Sequence, residues 1–115
     1  MKPLCLRKKN SNEMIFDRLE IADNFFSKLF GLLFKPCPEE SEGLVFYNCS
    51  SIHMFFMRYP IGLLFLDKNG TILKMVNIIK PWRLCACKDG YITIETAPGI
   101  LDNKPISIGD ELEVI

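Results

Sequence analysis

Apolar and polar residues alternate along several short segments of the chain, which is the period of a half-buried β-strand. Residues 4–8 and 14–21 follow this pattern, and a polar turn at residues 10–12 joins them. Residues 43–48 and 52–57 predict two further strands. The second of these is apolar on both faces, as expected for a strand that is buried on two sides. The first half of the chain therefore predicts four strands.

The second half of the chain contains stronger turn signals. Residues 63–66 and 71–79 flank residues 67–70, whose Asn-Gly ending is a strong signal for a β-hairpin. Residues 85–88 and 91–95 flank an Asp-Gly pair and predict a second, shorter hairpin. Alternation at the end of the chain predicts a final strand.

One segment has the spacing of a helix instead. Residues 23–34 begin with Asp23, whose side chain suits the N-cap position. One face of this helix carries Phe25, Leu29 and Leu32, which are spaced i, i+4 and i+7. Short strands with a turn signal every ten or so residues predict a mainly β fold, a compact antiparallel barrel or sandwich with this one α-helix packed on it. No linker divides the chain, so its 115 residues are expected to form a single domain.

Positive and negative residues balance. The chain has 14 lysines plus arginines and 14 aspartates plus glutamates, so its formal net charge is zero. Nucleic-acid-binding proteins usually carry a basic excess that contacts phosphates, and no nucleic-acid partner is expected here. The longest apolar stretches are shorter than the roughly 20 residues that span a bilayer, so no membrane association is expected.

The five cysteines are scattered along the chain. The first residues lack the long apolar core of a signal peptide, so the cysteines indicate thiols in a reducing cytosol and a cytoplasmic location. Residues 85–87 form a Cys-Ala-Cys sequence with one intervening residue, whereas structural zinc sites usually have about two to four. The pattern favours thiols over metal ligands, and no metal or other cofactor is expected.

The strongest candidates for a site lie in the apolar run of residues 49–61. This run holds the one histidine, His53, and the charged Arg58. A polar group in such a setting must find a partner, or it costs about 1–3 kcal/mol. His53 with a carboxylate such as Glu95 would suit acid–base chemistry, and Arg58 would suit two-pronged binding of a carboxylate or phosphate. The predicted ligand-binding residues are therefore His53, Met57, Arg58 and Glu95.

Four interpretations of these residues remain open. The favoured one is a non-enzymatic binding module for a small anionic or amphipathic ligand or a peptide end. A hydrolase or transferase would instead use His53 with a carboxylate or with Cys49. An interaction protein, monomeric or dimeric, would contact a protein partner through a sheet edge or Trp82. In a purely structural network, Arg58 would pair with Glu95 only to satisfy both.

A copper site is a further alternative. Soft sulfur ligands at Cys49, Met54 and Met57, together with the imidazole of His53, would suit copper(I). Methionines in aromatic-rich segments usually fill gaps in the core, so packing is their favoured role.

Several short motifs follow one another in a characteristic order. The most specific is the sequence of residues 51–61. The others lie at residues 22–33, 43–46, 65–67, 80–82, 95–99 and 109–110. On these motifs the chain resembles, over about residues 17–115, the family known as domain of unknown function 192. The resemblance implies a compact β-barrel or sandwich with one helix, and it carries over no established activity.

The chain departs from that family at three positions, one of which is Leu33, where a methionine is frequent. Gly62 stands where the family usually has an aspartate, and Phe30 stands where an arginine is frequent. If the aspartate helps to build the family's polar site, the resemblance implies that the site of this chain is altered and more apolar.

Overall fold

The computed structural model describes residues 4–22, 37–54 and 58–115. The predicted helix at residues 23–34 lies outside the described residues. So do residues 55–57, which end the predicted fourth strand.

The described part of the chain contains nine strands and one short 3-10 helix. In chain order they are β1 (Leu4–Lys8), β2 (Met14–Ala22), β3 (Glu42–Tyr47), β4 (Ser51–His53), β5 (Ile61–Leu66), β6 (Ile72–Ile79), β7 (Leu84–Ala86), β8 (Ile92–Thr96), the 3-10 helix (Leu101–Asn103) and β9 (Leu112–Val114). Most predicted strands are confirmed, with ends that differ by one or two residues.

Seven of these strands form one large sheet in the order β6-β5-β8-β3-β2-β1-β9. Its pairs are antiparallel except for β2 and β3, which run parallel with Arg18 opposite Glu42 and Ile21 opposite Val45. The sheet is therefore mixed, and the prediction of an antiparallel arrangement is wrong at this pair. Parallel strands need a crossover of about a dozen residues or more, and the segment 23–41 between β2 and β3 is long enough for one.

The large sheet is not a closed barrel. Within the described residues, the edge strands β6 and β9 approach each other through the isolated bridge between Thr71 and Glu111. The strands β4 and β7 form a separate two-stranded sheet. The mainly β fold class is confirmed, and of the two predicted architectures the sandwich describes the protein.

Two apolar clusters divide the core between the faces of the large sheet. The first cluster consists of Leu6, Ile15, Phe16, Leu19, Val45, Leu64, Leu66, Ile72, Ile92, Ile94, Ile100, Leu101, Ile106 and Leu112. Successive residues of a strand point to opposite faces, so Val45 of β3 joins the first cluster whereas Phe46 joins the second. Leu64 and Leu63 of β5 divide in the same way. The small sheet covers the second cluster by contributing Ile52. The second cluster consists of Leu44, Phe46, Ile52, Met54, Ile61, Leu63, Phe65 and Ile79.

The hairpin of β5 and β6 is confirmed. Asp67 Oδ1 accepts hydrogen bonds from the backbone N–H of Asn69 at 2.8 Å and of Thr71 at 3.0 Å. Gly70 has a φ of +86°, in the left-handed region that favours glycine. The Asn-Gly sequence thus predicts the turn because its glycine adopts this left-handed conformation.

The second predicted hairpin is wrong. The strand β7 pairs with β4, where Cys85 lies opposite Ile52, whereas β8 lies between β3 and β5 in the large sheet. The turn at residues 88–90 carries the chain from one sheet to the other. The residues of β8 are buried along its whole length, so the strand requires a central place, whereas β7 is exposed at both ends.

Candidate functional site

Glu95 lies in the middle of the large sheet on the central strand β8. Leu44 of β3 lies opposite it on one side, and Leu63 of β5 lies opposite it on the other. Both leucines belong to the second cluster, so the Glu95 side chain points to the same face. Only 3% of Glu95 is exposed, so the fold buries a carboxyl group in an apolar layer.

The Glu95 carboxyl has an unsatisfied atom. Among the described residues, its Oε1 is buried and has no hydrogen-bond partner. Burial raises the pKa of Glu95 from 4.5 to about 8, because removal from water penalises the charged carboxylate. At pH 7 the group is therefore mainly the neutral acid, which donates one O–H and also accepts hydrogen bonds.

Tyr59 links this buried acid electrostatically to the surface. Its side chain is half-buried and packs against the second cluster. Burial raises the pKa of Tyr59, the charges of Cys37 and Glu95 raise it further, and the charge of Arg58 lowers it. Three polar groups thus differ in depth. The Arg58 guanidinium is exposed, the Tyr59 phenol is half-buried, and the neutral Glu95 acid is buried.

The four predicted site residues are described to different extents. Glu95 is buried, Arg58 is exposed, and both act on the pKa of Tyr59. His53 ends β4, but its side chain lies outside the description, as does the whole of Met57. The structure thus relates Arg58 to Glu95 through Tyr59, and the roles of His53 and Met57 stay predictions.

An ion pair with Arg58 does not account for the buried acid. The Glu95 Oε1 atom has no partner among the described residues, and burial is the cause of its raised pKa. A guanidinium paired with this carboxylate would lower the pKa instead.

Tyr59 and Cys37 were not predicted from the sequence to take part in this site. Tyr59 directly follows Arg58 in the apolar run, and a hydroxyl beside a charged residue was the available signal. Cys37 precedes β3, and nothing in its local sequence indicates that it approaches Tyr59. Only the fold brings these segments together.

Gly62 lies on the opposite face of the sheet from the Glu95 side chain. It pairs with Thr96, the residue after Glu95, and its flanking residues Ile61 and Leu63 belong to the second cluster. A Cβ added to Gly62 would collide with Thr96 Oγ1. An aspartate at this position would therefore point away from Glu95, so its absence removes no polar group from the face that carries the acid.

The residues of the alternative sites have packing or surface positions. Met54 is fully buried in the second cluster, which is the packing role expected of it. The Cys49 thiol donates a hydrogen bond to the backbone oxygen of Ser51 at 3.3 Å. Trp82 is 58% exposed with a φ of +68°, and its backbone N–H donates to Met54 O over 2.7 Å. Trp82 is thus a surface side chain on a backbone that hydrogen bonds fix.

Two general features complete the picture of the described residues. In that part of the chain, no three histidine, cysteine, aspartate or glutamate side chains are grouped so that they could hold a metal ion. None of its helices is long and apolar enough to cross a membrane.

Fold and site together define a small mixed β-sheet domain with a buried acid at the centre of its sheet. The chain belongs to the DUF192 family, described as "Uncharacterized ACR, COG1430", whose model matches residues 6–114. A UPF0127 protein of Thermococcus sibiricus is 36% identical over 116 residues, which cover 94% of this chain and 73% of that protein. A UPF0127 protein of Pyrococcus abyssi is 32% identical over 107 residues, which cover 85% of this chain and 86% of that protein. The family resemblance seen in the sequence is confirmed.

A solved structure has the same fold. It is a protein of unknown function from Novosphingobium aromaticivorans, with a TM-score of 0.78 and 18% sequence identity. The match covers 96% of this chain and 83% of that chain. At this identity the likeness shows the fold alone.

Proposed function

We propose that this protein is a binding module for a small amphipathic ligand that carries an anionic group and a hydrogen-bond donor. The C-terminal end of an apolar peptide has this chemistry. The observation that carries the proposal is the Oε1 atom of Glu95, which is buried at the centre of the sheet and has no hydrogen-bond partner among residues 4–22, 37–54 and 58–115.

An unpartnered polar atom in the core opposes folding. Leaving a buried acceptor unsatisfied costs about 1–3 kcal/mol, which a ligand that donates an N–H or O–H would offset. Because β8 is hydrogen-bonded on both sides, by β3 and β5, the acid sits on a rigid strand and does not need to be ordered by binding. Buried groups with strongly shifted pKa values also concentrate at functional sites.

The anionic group of the ligand would bind at the surface, at Arg58. Arg58 is exposed and within electrostatic reach of Tyr59, and a guanidinium binds a carboxylate with two parallel hydrogen bonds. The ligand donor would then face Glu95, and the apolar body would lie against the second cluster. His53 and Met57, predicted to line the same cleft, keep that role in the proposal.

The buried surroundings of Glu95 favour an uncharged hydrogen-bond donor on the ligand. A neutral Glu95 needs no counter-charge, and pairing two charges in an apolar layer carries a large desolvation cost. A second anion beside Glu95 would raise that cost further. The anionic group therefore belongs at Arg58, and the N–H or O–H belongs at Glu95.

Isothermal calorimetry with N-acetyl-leucyl-leucine tests the proposal, with the same dipeptide capped as a C-terminal amide as the matched control ligand. The acid should bind saturably at one site, and the amide should bind about tenfold or more weakly, because it lacks the charge-assisted hydrogen bonds. A failure of the acid to bind, or equal binding of both ligands, would overturn the proposal.

Variants assign the two ends of the ligand. Arg58→Ala should abolish binding of the acid while the fold is kept. Glu95→Leu should do the same, whereas Glu95→Gln should keep part of the affinity, because the amide still offers an acceptor. Arg7→Ala is the control, since Arg7 lies on β1 and pairs with Glu113 at 2.7 Å. Loss of the fold in Arg58→Ala would instead assign a structural role to Arg58.

We also propose a cytoplasmic location. All five cysteines are present as thiols, which suits a reducing compartment.

A further inference from the structure

A pair of thiols lies under the small sheet, on the side that faces the second cluster. Cys85 of β7 lies opposite Ile52 of β4, which belongs to that cluster. Cys87 follows two residues later, and its backbone N–H donates to Ser50 O over 2.9 Å. Residues spaced i and i+2 in an extended strand lie about 6.6 Å apart and point to the same side. Both cysteines are half-buried and pack against the second cluster.

A lysine ammonium group lies beside this pair. Lys74 extends from β6, and its Nζ donates to the backbone oxygen of Ala86 at 2.9 Å. Ala86 separates the two cysteines in the sequence, so the ammonium contacts the backbone between them. Burial raises the pKa of Cys87, Lys74 opposes the rise, and the charge of Cys85 adds to it. The two sulfur atoms therefore interact electrostatically, and Lys74 acts on the same group.

This geometry does not favour a disulfide. The Cα atoms of a disulfide usually lie about 4.4–6.8 Å apart, so a pair spaced i and i+2 on an extended strand falls at the upper limit. A raised thiol pKa also keeps Cys87 as the neutral thiol and not the nucleophilic thiolate. Structural zinc needs four ligands, whereas the arrangement here offers two.

We propose that Cys85 and Cys87 form a two-thiolate site for a soft monovalent cation of the copper(I) class. Soft thiolate ligands select such ions. Each thiol releases its proton to water as its sulfur–metal bond forms, and the metal keeps its charge of +1. The complex of one cation and two thiolates then carries a net charge of −1. Lys74 supplies the compensating positive charge, which is the specific contribution of the position of its ammonium group.

Titration of the whole protein with copper(I), without oxygen and in competition with a chelator of known affinity, tests this site. One equivalent should bind, and two protons should be released per ion. Cys85→Ser and Cys87→Ser should each weaken binding about 100-fold or more, and Lys74→Met should weaken it about tenfold, the size expected for a supporting group. Cys5→Ser is the matched control, because the Cys5 thiol lies on β1 and donates to Asp17 O at 3.3 Å.

X-ray absorption of the copper-loaded wild-type protein gives a second readout that does not depend on whether a variant folds. The proposal expects two sulfur neighbours in a linear arrangement. A third sulfur neighbour that disappears in Cys49→Ser would assign a different site, and binding that is unchanged in Cys85→Ser and Cys87→Ser would overturn the proposal. Binding no tighter than that of a protein with isolated thiols would overturn it as well.

Discussion

The side chain of Glu95 and position 62 lie on opposite faces of the large sheet, although β8 and β5 are hydrogen-bonded neighbours. Gly62 pairs with Thr96 and faces the first cluster, whereas Glu95 pairs with Leu63 and faces the second. A step of one residue along these strands therefore leads from the close packing at Gly62, on one face, to the carboxyl group of Glu95 on the other. The absence of the family's aspartate at Gly62 therefore does not reach the acid on which the proposed function rests.

The pH dependence of stability should report the burial of Glu95. Its pKa is raised from 4.5 to about 8 in the folded protein, so the folded state holds this proton over a range where the unfolded chain has lost it. The contribution of Glu95 is fully present below pH 4.5 and is lost as the pH rises to about 8. Over that range the free energy of unfolding should fall by up to about 1.4 kcal/mol per pH unit.

Denaturant unfolding of wild type and Glu95→Gln across this pH range measures the effect. The variant cannot ionise, so the difference between the two proteins should grow in favour of the variant towards pH 8 and then level off. Glu111→Gln, at an exposed glutamate, is the control and should leave the wild-type slope in place. Parallel pH profiles of wild type and Glu95→Gln would show that the acid is not buried in the folded protein.

The close pairing of Gly62 and Thr96 predicts a coupled effect on stability. Gly62→Ala should destabilise the protein by about 1–3 kcal/mol, because the new Cβ meets Thr96 Oγ1. Thr96→Ala removes that atom, so the double variant should be less destabilised than the sum of the single variants by about 0.5–3 kcal/mol. Chemical denaturation of the four proteins measures this coupling. Strictly additive effects would mean that the two positions do not touch.

Two glycines with similar backbone angles separate conformational strain from collision. Gly70 has a φ of +86° and Gly99 a φ of +80°, so alanine should cost about 1–2 kcal/mol at either position. A Cβ at Gly70 would also collide with the backbone oxygen of Leu112, whereas one at Gly99 meets nothing within 4 Å. Gly70→Ala should therefore lower the stability by about 1–3 kcal/mol more than Gly99→Ala in thermal unfolding. Equal losses would place the backbone of Leu112 away from Gly70.

Thr93 ties β8 to the loop before the small sheet. It is fully buried, and its Oγ1 donates to Cys49 O at 2.9 Å. Thr93→Val keeps the shape but removes this hydrogen bond, and it should cost about 1–3 kcal/mol in free energy of unfolding. Thr93→Ser keeps the hydroxyl and serves as the control for its role. A valine variant as stable as wild type would show that the hydrogen bond contributes nothing.

Local signals predicted the local part of the fold. The Asn-Gly ending of residues 67–70 predicted the β5–β6 hairpin because Gly70 adopts a positive φ that few other residues tolerate. A similar Asp-Gly signal failed at residues 88–90, where the turn forms but the strands part. Their partners are chosen by burial: β8 needs apolar neighbours on both sides, and these lie far away in the sequence.

The candidate site was only partly predictable for the same reason. Arg58 and Glu95 were identifiable because charged residues in apolar segments need partners or a function. The sequence predicted that Arg58 would pair with Glu95 if the role were structural, but the pattern of each strand cannot show which charges meet. Cys37 and Tyr59 come together only through the fold. The face on which position 62 lies likewise depends on register, which the sequence does not display.

The carboxyl carbon resonance of Glu95, followed by NMR during titration with N-acetyl-leucyl-leucine, tests the central claim most directly. We expect a saturable shift of this resonance at one equivalent, because the ligand donates a hydrogen bond to the buried Oε1 atom. A resonance that stays unchanged at ligand saturation would contradict the claim that Glu95 is the group that recognises the ligand.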